Sequence, residues 1–278
     1  MKLNVSNPIL QNLSCLLCLK CGGNSWHEFA TSLTCQACRN PYPLLDNGKV
    51  ITVSEHINQA NWEEVSEGFD LLKGNEHPIK IDKLGGPRIN QLRKNLNITG
   101  LAVNLGSGQD NYSDFINLDL GEYEPVHVVA DFTKIPLTDG SIELVACNSV
   151  LEHIYEYELV MNEISRIVKK GGYLYLSVPL MSIRHHKYDY HRWTSVGLGK
   201  LIESNFTVIE SGACRGVAYS LISFVDALLT YKIRNKVALW VCRKLWRVIS
   251  FPLLSIKDEA KEEYQAMANT IYVLAVRK

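Results

Sequence analysis

The sequence predicts an α/β protein: a mostly parallel sheet with crossover helices, preceded by a small cysteine-rich β module. Three observations carry that expectation. Short apolar runs alternate with helical or loop segments from Leu101 onward, two C-x-x-C pairs stand close together near the start, and the 278 residues exceed what one small module needs. At roughly 100–200 residues per domain, such a chain holds one large domain and a small one. We place the module at 1–53, an acidic linker at 54–95 and the α/β domain at 96–278, with a helical insertion at about 215–268. Lys and Arg number 29 against 29 Asp and Glu, so no global basic excess exists to neutralise nucleic-acid phosphates.

The first residues, MKLNVSNPILQNLSC, lack the unbroken apolar stretch and small-residue cleavage site of a signal peptide, which reads as cytoplasmic. Cysteines in such a chain read as metal ligands or free thiols. Cys18-Leu-Lys-Cys21 and Cys35-Gln-Ala-Cys38 are separated by thirteen residues. Each C-x-x-C makes a tight knuckle aiming two thiolates at one point, and two knuckles give the four-sulfur tetrahedron that zinc prefers. Cys18, Cys21, Cys35 and Cys38 are the metal ligand set, although Cys15 is also spaced to pair with Cys18. A closed four-sulfur site is structural, and a module this small needs the metal to complete its core. Asn40-Pro-Tyr-Pro-Leu-Leu-Asp-Asn-Gly-Lys-Val-Ile follows as a turn-and-strand signature. The stretch from Leu16 to Val53 resembles the zinc-ribbon proteins that activate RNA and protein methyltransferases.

Between Glu55 and Glu76 lie six acids and one lysine, with Ile57, Trp62, Val65, Phe69 and Leu72 near helical spacing, the pattern of a solvated linker helix. Leu101-Ala-Val-Asn-Leu then begins the alternation, followed by Phe115 to Asp119, Val126 to Asp131 and Ile142 to Cys147. Leu159, Val160, Ile164, Ile167 and Val168 mark a helix, with Gly171-Gly172 as its cap and Tyr173 to Val178 as the next strand. Strands joined by crossovers make a parallel sheet whose ligand crevice lies at the strand carboxyl ends. Those ends carry Gly106-Ser-Gly108, Asp119 and Asp131: a backbone that a ligand can approach closely, then two acids for hydroxyl and amino groups. A dinucleotide fingerprint would need glycine where Asn111 stands, and no phosphate loop of the G-x-x-x-x-G-K-[ST] type occurs. A nucleoside without phosphates fits better, with S-adenosylmethionine the obvious candidate.

Val103-Asn-Leu-Gly-Ser-Gly108, Ile116-Asn-Leu-Asp-Leu120, Val129 to Gly140, Ser149-Val-Leu-Glu-His-Ile154 and Val168 to Pro179 strongly resemble, in order, the motifs of class I S-adenosylmethionine-dependent methyltransferases of the type 11 kind. The resemblance implies a Rossmann-like, seven-stranded, mostly parallel sheet with an antiparallel last strand, Phe206 to Ser211 and Thr270 to Val276 being the sixth and seventh. It also implies a cofactor set of Asn104, Gly106, Ser107, Gly108, Asp119, Leu120, Asp131, Phe132 and Asn148. Gly106 and Gly108 flank the methionine part, Asp119 binds ribose, Asp131 with Phe132 receives adenine, and Asn148 faces the reacting methyl. Asn104 stands where the family usually has an acid, and the third glycine of the loop is absent, with Asp110 nearby.

Arg184-His-His-Lys-Tyr-Asp-Tyr-His-Arg-Trp193 follows the fifth strand at the crevice. Histidine is the natural base near neutral pH, so His185, His186, Asp189 and His191 are candidate catalytic contacts to an acceptor. The same segment also reads as a loop anchored by its own aromatics and an Asp–Arg pair. The insertion holds the apolar run Val217 to Leu229, then seven Lys/Arg and no acid between Ala227 and Lys257. Arg243, Lys244, Arg247 and Ser250 share one helical face, so 217–256 is expected to be a lid whose cations stay wet, a peripheral contact with the inner membrane surface, or both. The expected function is methyl transfer from S-adenosylmethionine to a small or lipid-linked acceptor, such as a glycan or envelope precursor. One rival is an RNA or protein methyltransferase using the ribbon for substrate contact. The other is a non-catalytic, zinc-stabilised interaction protein.

Overall fold

A computed structural model describes residues 7–45, 48–52, 85–112, 114–184, 186–252 and 265–278. The acidic stretch from Glu55 to Glu76 and His185 lie outside the described residues.

After a short helix α1 (Pro8–Gln11), the strands β1 (Trp26–Phe29), β2 (Ser32–Cys35) and β3 (Pro41–Pro43) form a three-stranded antiparallel sheet. Its interior is small: Trp26 and Tyr42 rings lie 5.2 Å apart beside buried Leu33. The Trp26 Nε1–H donates to the Leu16 carbonyl at 3.0 Å, and the Leu19 N–H donates to the Tyr42 hydroxyl at 2.6 Å. These polar ends are satisfied where the aromatic bodies are buried.

The second sheet contains β4 (Val50–Ile51), β5 (Ala102–Leu105), β6 (Ile116–Asp119), β7 (Val128–Val129), β8 (Ile142–Asn148), β9 (Val168–Pro179), β10 (Phe206–Arg215) and β11 (Thr270–Arg277). Their spatial order is β10-β11-β9-β8-β5-β6-β7-β4. Strands β4 to β9 run parallel where they pair, and β11 is antiparallel to both β9 and β10. The helices are α2 (Gly85–Asn95), α3 (Tyr157–Ile167), α4 (Ser195–Ile202), α5 (Val217–Lys232) and α6 (Lys236–Ser250). The order reverses around β5, the first strand of the α/β domain, and a crevice opens where neighbouring connections diverge to opposite faces.

The structure corrects two expectations. The sheet has eight strands rather than seven, because Val50–Ile51 leaves the cysteine module and pairs with β7. Lys49 and Thr52 flank this short strand and hold it there: both are buried at that edge, Lys49 Nζ donating to the Glu122 and Tyr123 carbonyls at 3.0 and 2.8 Å and Thr52 Oγ1 to the Val129 carbonyl at 3.0 Å. Gly171-Gly172 is not a helix cap, since α3 ends at Ile167 and β9 begins directly. Gly171 instead takes φ +73°, and the pairing of β8 with β9 jumps from Ile142–Val168 to Leu144–Tyr173. A Cβ on Gly172 would lie 2.9 Å from the Glu143 and Lys169 carbonyl oxygens, so this bulge tolerates no side chain.

One apolar cluster runs from Ile9, Leu16, Trp26 and Leu33 in the module into Val103, Leu118, Leu137, Val145 and Leu176 in the sheet. Backbone bonds stitch the same join: Leu17 N–H donates to the Pro136 carbonyl and Thr138 N–H to the Cys15 carbonyl, both at 2.9 Å. Among the described residues no helix is long and apolar enough to cross a membrane.

Candidate functional site

Four thiols converge in the module: the sulfurs of Cys18, Cys21, Cys35 and Cys38 all lie within 4.8 Å of one another. The Cys18–Cys38 and Cys21–Cys35 separations are each 3.6 Å. A tetrahedral zinc with bonds of ~2.3 Å holds its sulfurs roughly 3.8 Å apart, so this donor set fits that ion. In the first knuckle the Gly22 N–H donates to the Cys18 carbonyl at 2.8 Å, with Gly22 at φ +75°. In the second, Arg39 N–H donates to the Cys35 carbonyl at 2.9 Å and Arg39 itself takes φ 61°. Cys15 lies outside the cluster, buried among apolar side chains that push its thiol up to about 11.

At the crevice, β5 turns sharply through Gly106 (φ +74°) and Gly108 (φ +52°). The Gly106 and Ser107 N–H groups donate to the Leu118 carbonyl at 2.9 and 3.1 Å, which ties the loop to β6. Gly106 is pressed against Val150, whereas nothing lies within 4 Å of where a Gly108 Cβ would stand. The Ser107 hydroxyl is buried with no hydrogen-bond partner among the described residues, an orphan that a ligand's polar group would satisfy.

Asp119 ends β6 with its carboxylate accepting from Gly108 N–H and Gly121 N–H, each at 2.7 Å. Burial holds its carboxyl above the ordinary range, against the lowering effect of those backbone donors. Two donors use about half of a carboxylate's lone-pair sites, and the rest suit a pair of ribose hydroxyls. Half-buried Leu120 follows. Beyond β7, Asp131 folds an Asx-type turn, accepting from the Thr133 N–H and hydroxyl at 2.8 Å each, with Phe132 buried beside it. Arg166 on α3 anchors that segment through the Ile135 and Leu137 carbonyls at 2.7 and 2.6 Å. Asn148 ends β8 and accepts from the Ser177 hydroxyl, while the next residue, Ser149, is held at φ 54°. Asn104 is placed differently from the others. It is buried below the crevice, its amide donating to Asn117 Oδ1 at 3.3 Å, so an amide pair occupies the place of the family's acid.

The segment after β9 folds back over the short helical turn Leu151–His153. Tyr190 N–H donates to the Glu152 carbonyl at 2.7 Å, and His153 Nδ1 lies 2.8 Å from the Tyr188 carbonyl. A carbonyl only accepts, so that His153 nitrogen carries the proton. His186 is buried, its Nδ1 accepting from Tyr188 N–H at 3.0 Å, and its ring stands 5.0 Å from that of His153. In this arrangement neutral His186 presents an N–H rather than a lone pair at Nε2. Asp189 is buried against Arg192, one of the two contacts measuring 2.7 Å. His191 is partly exposed, edge-on to Tyr157 at 4.8 Å, with Nε2 3.3 Å from the Tyr155 carbonyl.

The glycine turn, the acids after β6 and β7, and Asn148 after β8 thus meet at one end of the sheet. Residues 103–176 match the family model described as "Methyltransferase domain". That stretch of the chain carries the sequence pattern of a methyltransferase domain. No curated protein matches the chain. Among solved structures it is similar to an S-adenosylmethionine-dependent methyltransferase, possible histamine N-methyltransferase, from Thermotoga maritima, with 14% identity, 77% of this chain and 100% of that one covered, and a TM-score of 0.49. It is also similar to the Burkholderia thailandensis 1,6-didemethyltoxoflavin-N1-methyltransferase, with 11% identity, 91% and 99% covered, and a TM-score of 0.48.

One residue beneath the aromatic loop escapes sequence reasoning. Glu152 is fully buried, and neither carboxyl oxygen has a hydrogen-bond partner among the described residues. Its Oε1 stands 3.7 Å from His153 Nε2. Burial pushes the Glu152 carboxyl up to about 8, its own backbone N–H and Arg192 opposing and Asp189 adding to the rise. The folded protein therefore keeps Glu152 protonated at neutral pH, whereas the unfolded chain ionises it near 4.5. Native protein binds that proton more tightly, so the contribution is fully present below about pH 4.5 and lost as pH rises through about 8. The expected loss is on the order of 4 kcal/mol, and Glu152→Gln, which stays neutral, removes it. Urea unfolding of both proteins across that range checks this; parallel pH profiles would refute it.

Proposed function

We propose that this chain is an S-adenosylmethionine-dependent methyltransferase acting on a small or lipid-linked acceptor, with a structural zinc in its cysteine module. The observation that supports the cofactor is the group of ligand-facing features at one end of the sheet: the open backbone at Gly108, the orphan Ser107 hydroxyl and the spare oxygen sites of Asp119. Gly106, Ser107 and Gly108 would hold the methionine part, Asp119 with Leu120 the ribose, and Asp131 with Phe132 the adenine. Bound S-adenosylmethionine supplies a methyl group activated on a sulfonium. The chain's own task is to orient an acceptor toward it and exclude water. Asn148, which accepts from the Ser177 hydroxyl, would border that space from β8, and the aromatic loop 186–193 would close it on the acceptor side. His186, Asp189 and His191 are proposed to shape or contact the acceptor. Asp189, already held by Arg192, would act by fixing the loop.

Calorimetry of zinc-loaded protein with S-adenosylmethionine and S-adenosylhomocysteine tests the reading. Saturable binding is expected, with Asp119→Ala weakening it by about 1–3 kcal/mol, roughly tenfold to a hundredfold. No binding by folded protein would overturn the assignment in favour of an interaction module.

A further inference from the structure

The α5–α6 hairpin turns its helices the wrong way round for a lid with wetted cations. On α6 the inward side carries Leu239, Cys242, Arg243, Trp246, Arg247 and Ser250, while Val237, Trp240, Val241, Leu245, Val248 and Ile249 face outward. Arg243 is spent inside the hairpin, its guanidinium donating to Asp226 of α5 at 2.8 and 2.9 Å. Val248 is 74% exposed and Trp240 62%. Alongside, Leu221, Phe224, Leu228 and Tyr231 repeat at helical spacing as exposed positions on α5. A helix in water normally hides such a stripe and shows its charges. So large an outward apolar face marks a partner of matching chemistry.

Charge and aromatic placement identify it. No acid occurs between Ala227 and Lys257, and the exposed cations Lys232, Arg234, Lys236 and Lys244 border the face. Lys244 Nζ lies 5.8 Å from the Trp240 ring centre and Lys232 Nζ 5.5 Å from that of Tyr231. Trp240, Tyr231 and Phe251 are the residue types that settle at a lipid headgroup boundary, with lysines reaching to the phosphates. A second copy fits less well. A two-fold pairing of α6 about its middle would set Lys244 against its own counterpart. We propose that the outer face of the α5–α6 hairpin lies in the surface of an anionic membrane, parallel to the bilayer plane.

The hairpin leaves the sheet at the crevice end. Asn269 N–H donates to the Arg215 carbonyl at 2.7 Å, and Leu180 N–H, just past β9, donates to the Asn269 carbonyl at 2.9 Å. Docking therefore brings the acceptor side toward the bilayer, which favours a lipid-linked acceptor; that last clause rests on the methyltransferase reading, whereas docking does not.

Co-sedimentation with vesicles of phosphatidylcholine, alone or mixed with phosphatidylglycerol, tests the surface without any cofactor. Binding is expected to the mixed vesicles only, to weaken with added salt, and to fall at least about tenfold in Leu245→Glu/Val248→Glu. S-Adenosylhomocysteine affinity, measured on the same preparations, is expected to be unchanged and reports separately on fold and cofactor reading. No binding to anionic vesicles, or binding indifferent to the double substitution, overturns the proposal. So does a dimer that the double substitution disperses in protein that ignores vesicles.

Discussion

Replacing Cys35 by serine is expected to release about one equivalent of zinc and unfold the N-terminal β module. Its own interior consists of little more than Trp26, Leu33 and Tyr42, too little to hold three short strands. Metal binding in comparable small sites amounts to about 10–16 kcal/mol, so losing one ligand removes on the order of 5 kcal/mol or more. The loss propagates, because the module shares its core with the sheet and lends it the edge strand β4. The segment between Asp131 and Thr138, pinned on one side by Cys15 and Leu17, loses that support, so S-adenosylhomocysteine affinity falls with metal content. Atomic absorption and calorimetry on the same samples check both effects. Cys15→Ser is the control: its sulfur stands apart from the four, so metal content should stay unchanged. Full zinc retention in Cys35→Ser would show that the ligand set is wrong.

What was legible in the sequence, and what was not, follows from the range of the forces involved. The strands from β5 to β9 are legible because buried parallel strands are apolar runs, and the crevice is marked by glycines and acids at their ends. The C-x-x-C pairs state their own geometry. Val50–Ile51 is different: two apolar residues do not say which sheet they join, and the answer lies in Val128–Val129, far along the chain. Gly171-Gly172 matches a helix cap locally, but the pairing of β9 with β8 starts before it and turns it into a bulge. Helical spacing groups Arg243, Arg247 and Ser250 on one face of α6 without saying that this face is inside, and it misplaces Lys244, which is exposed beside Trp240 on the other. Asp226 on the preceding helix decides that by taking Arg243. Glu152 looks like a surface acid until the loop carrying Asp189 and Tyr190 closes over it.

The glycines of the β5 turn are expected to fail in opposite ways when replaced by alanine. Gly106 sits at φ +74°, where an L-residue costs about 1–2 kcal/mol. Its new Cβ would also stand 2.2 Å from Val150 Cγ2, and Val150 is itself buried in the main core. That overpacking adds about 1–3 kcal/mol, so Gly106→Ala should lower global stability by about 2–5 kcal/mol. Gly108 has φ +52° and open space where its Cβ would go, so Gly108→Ala bears only the backbone strain, about 1 kcal/mol. That same open space is where the methionine end is proposed to lie, so Gly108→Ala should lose cofactor affinity by roughly tenfold or more while remaining folded. Urea unfolding and S-adenosylhomocysteine calorimetry on both variants separate the two roles. If Gly108→Ala binds like the parent, the cofactor does not approach that turn, and the ligand end of the sheet must be reassigned. If Gly106→Ala is as stable as the parent, Val150 yields more readily than its burial implies, and the turn is held chiefly by the Leu118 carbonyl.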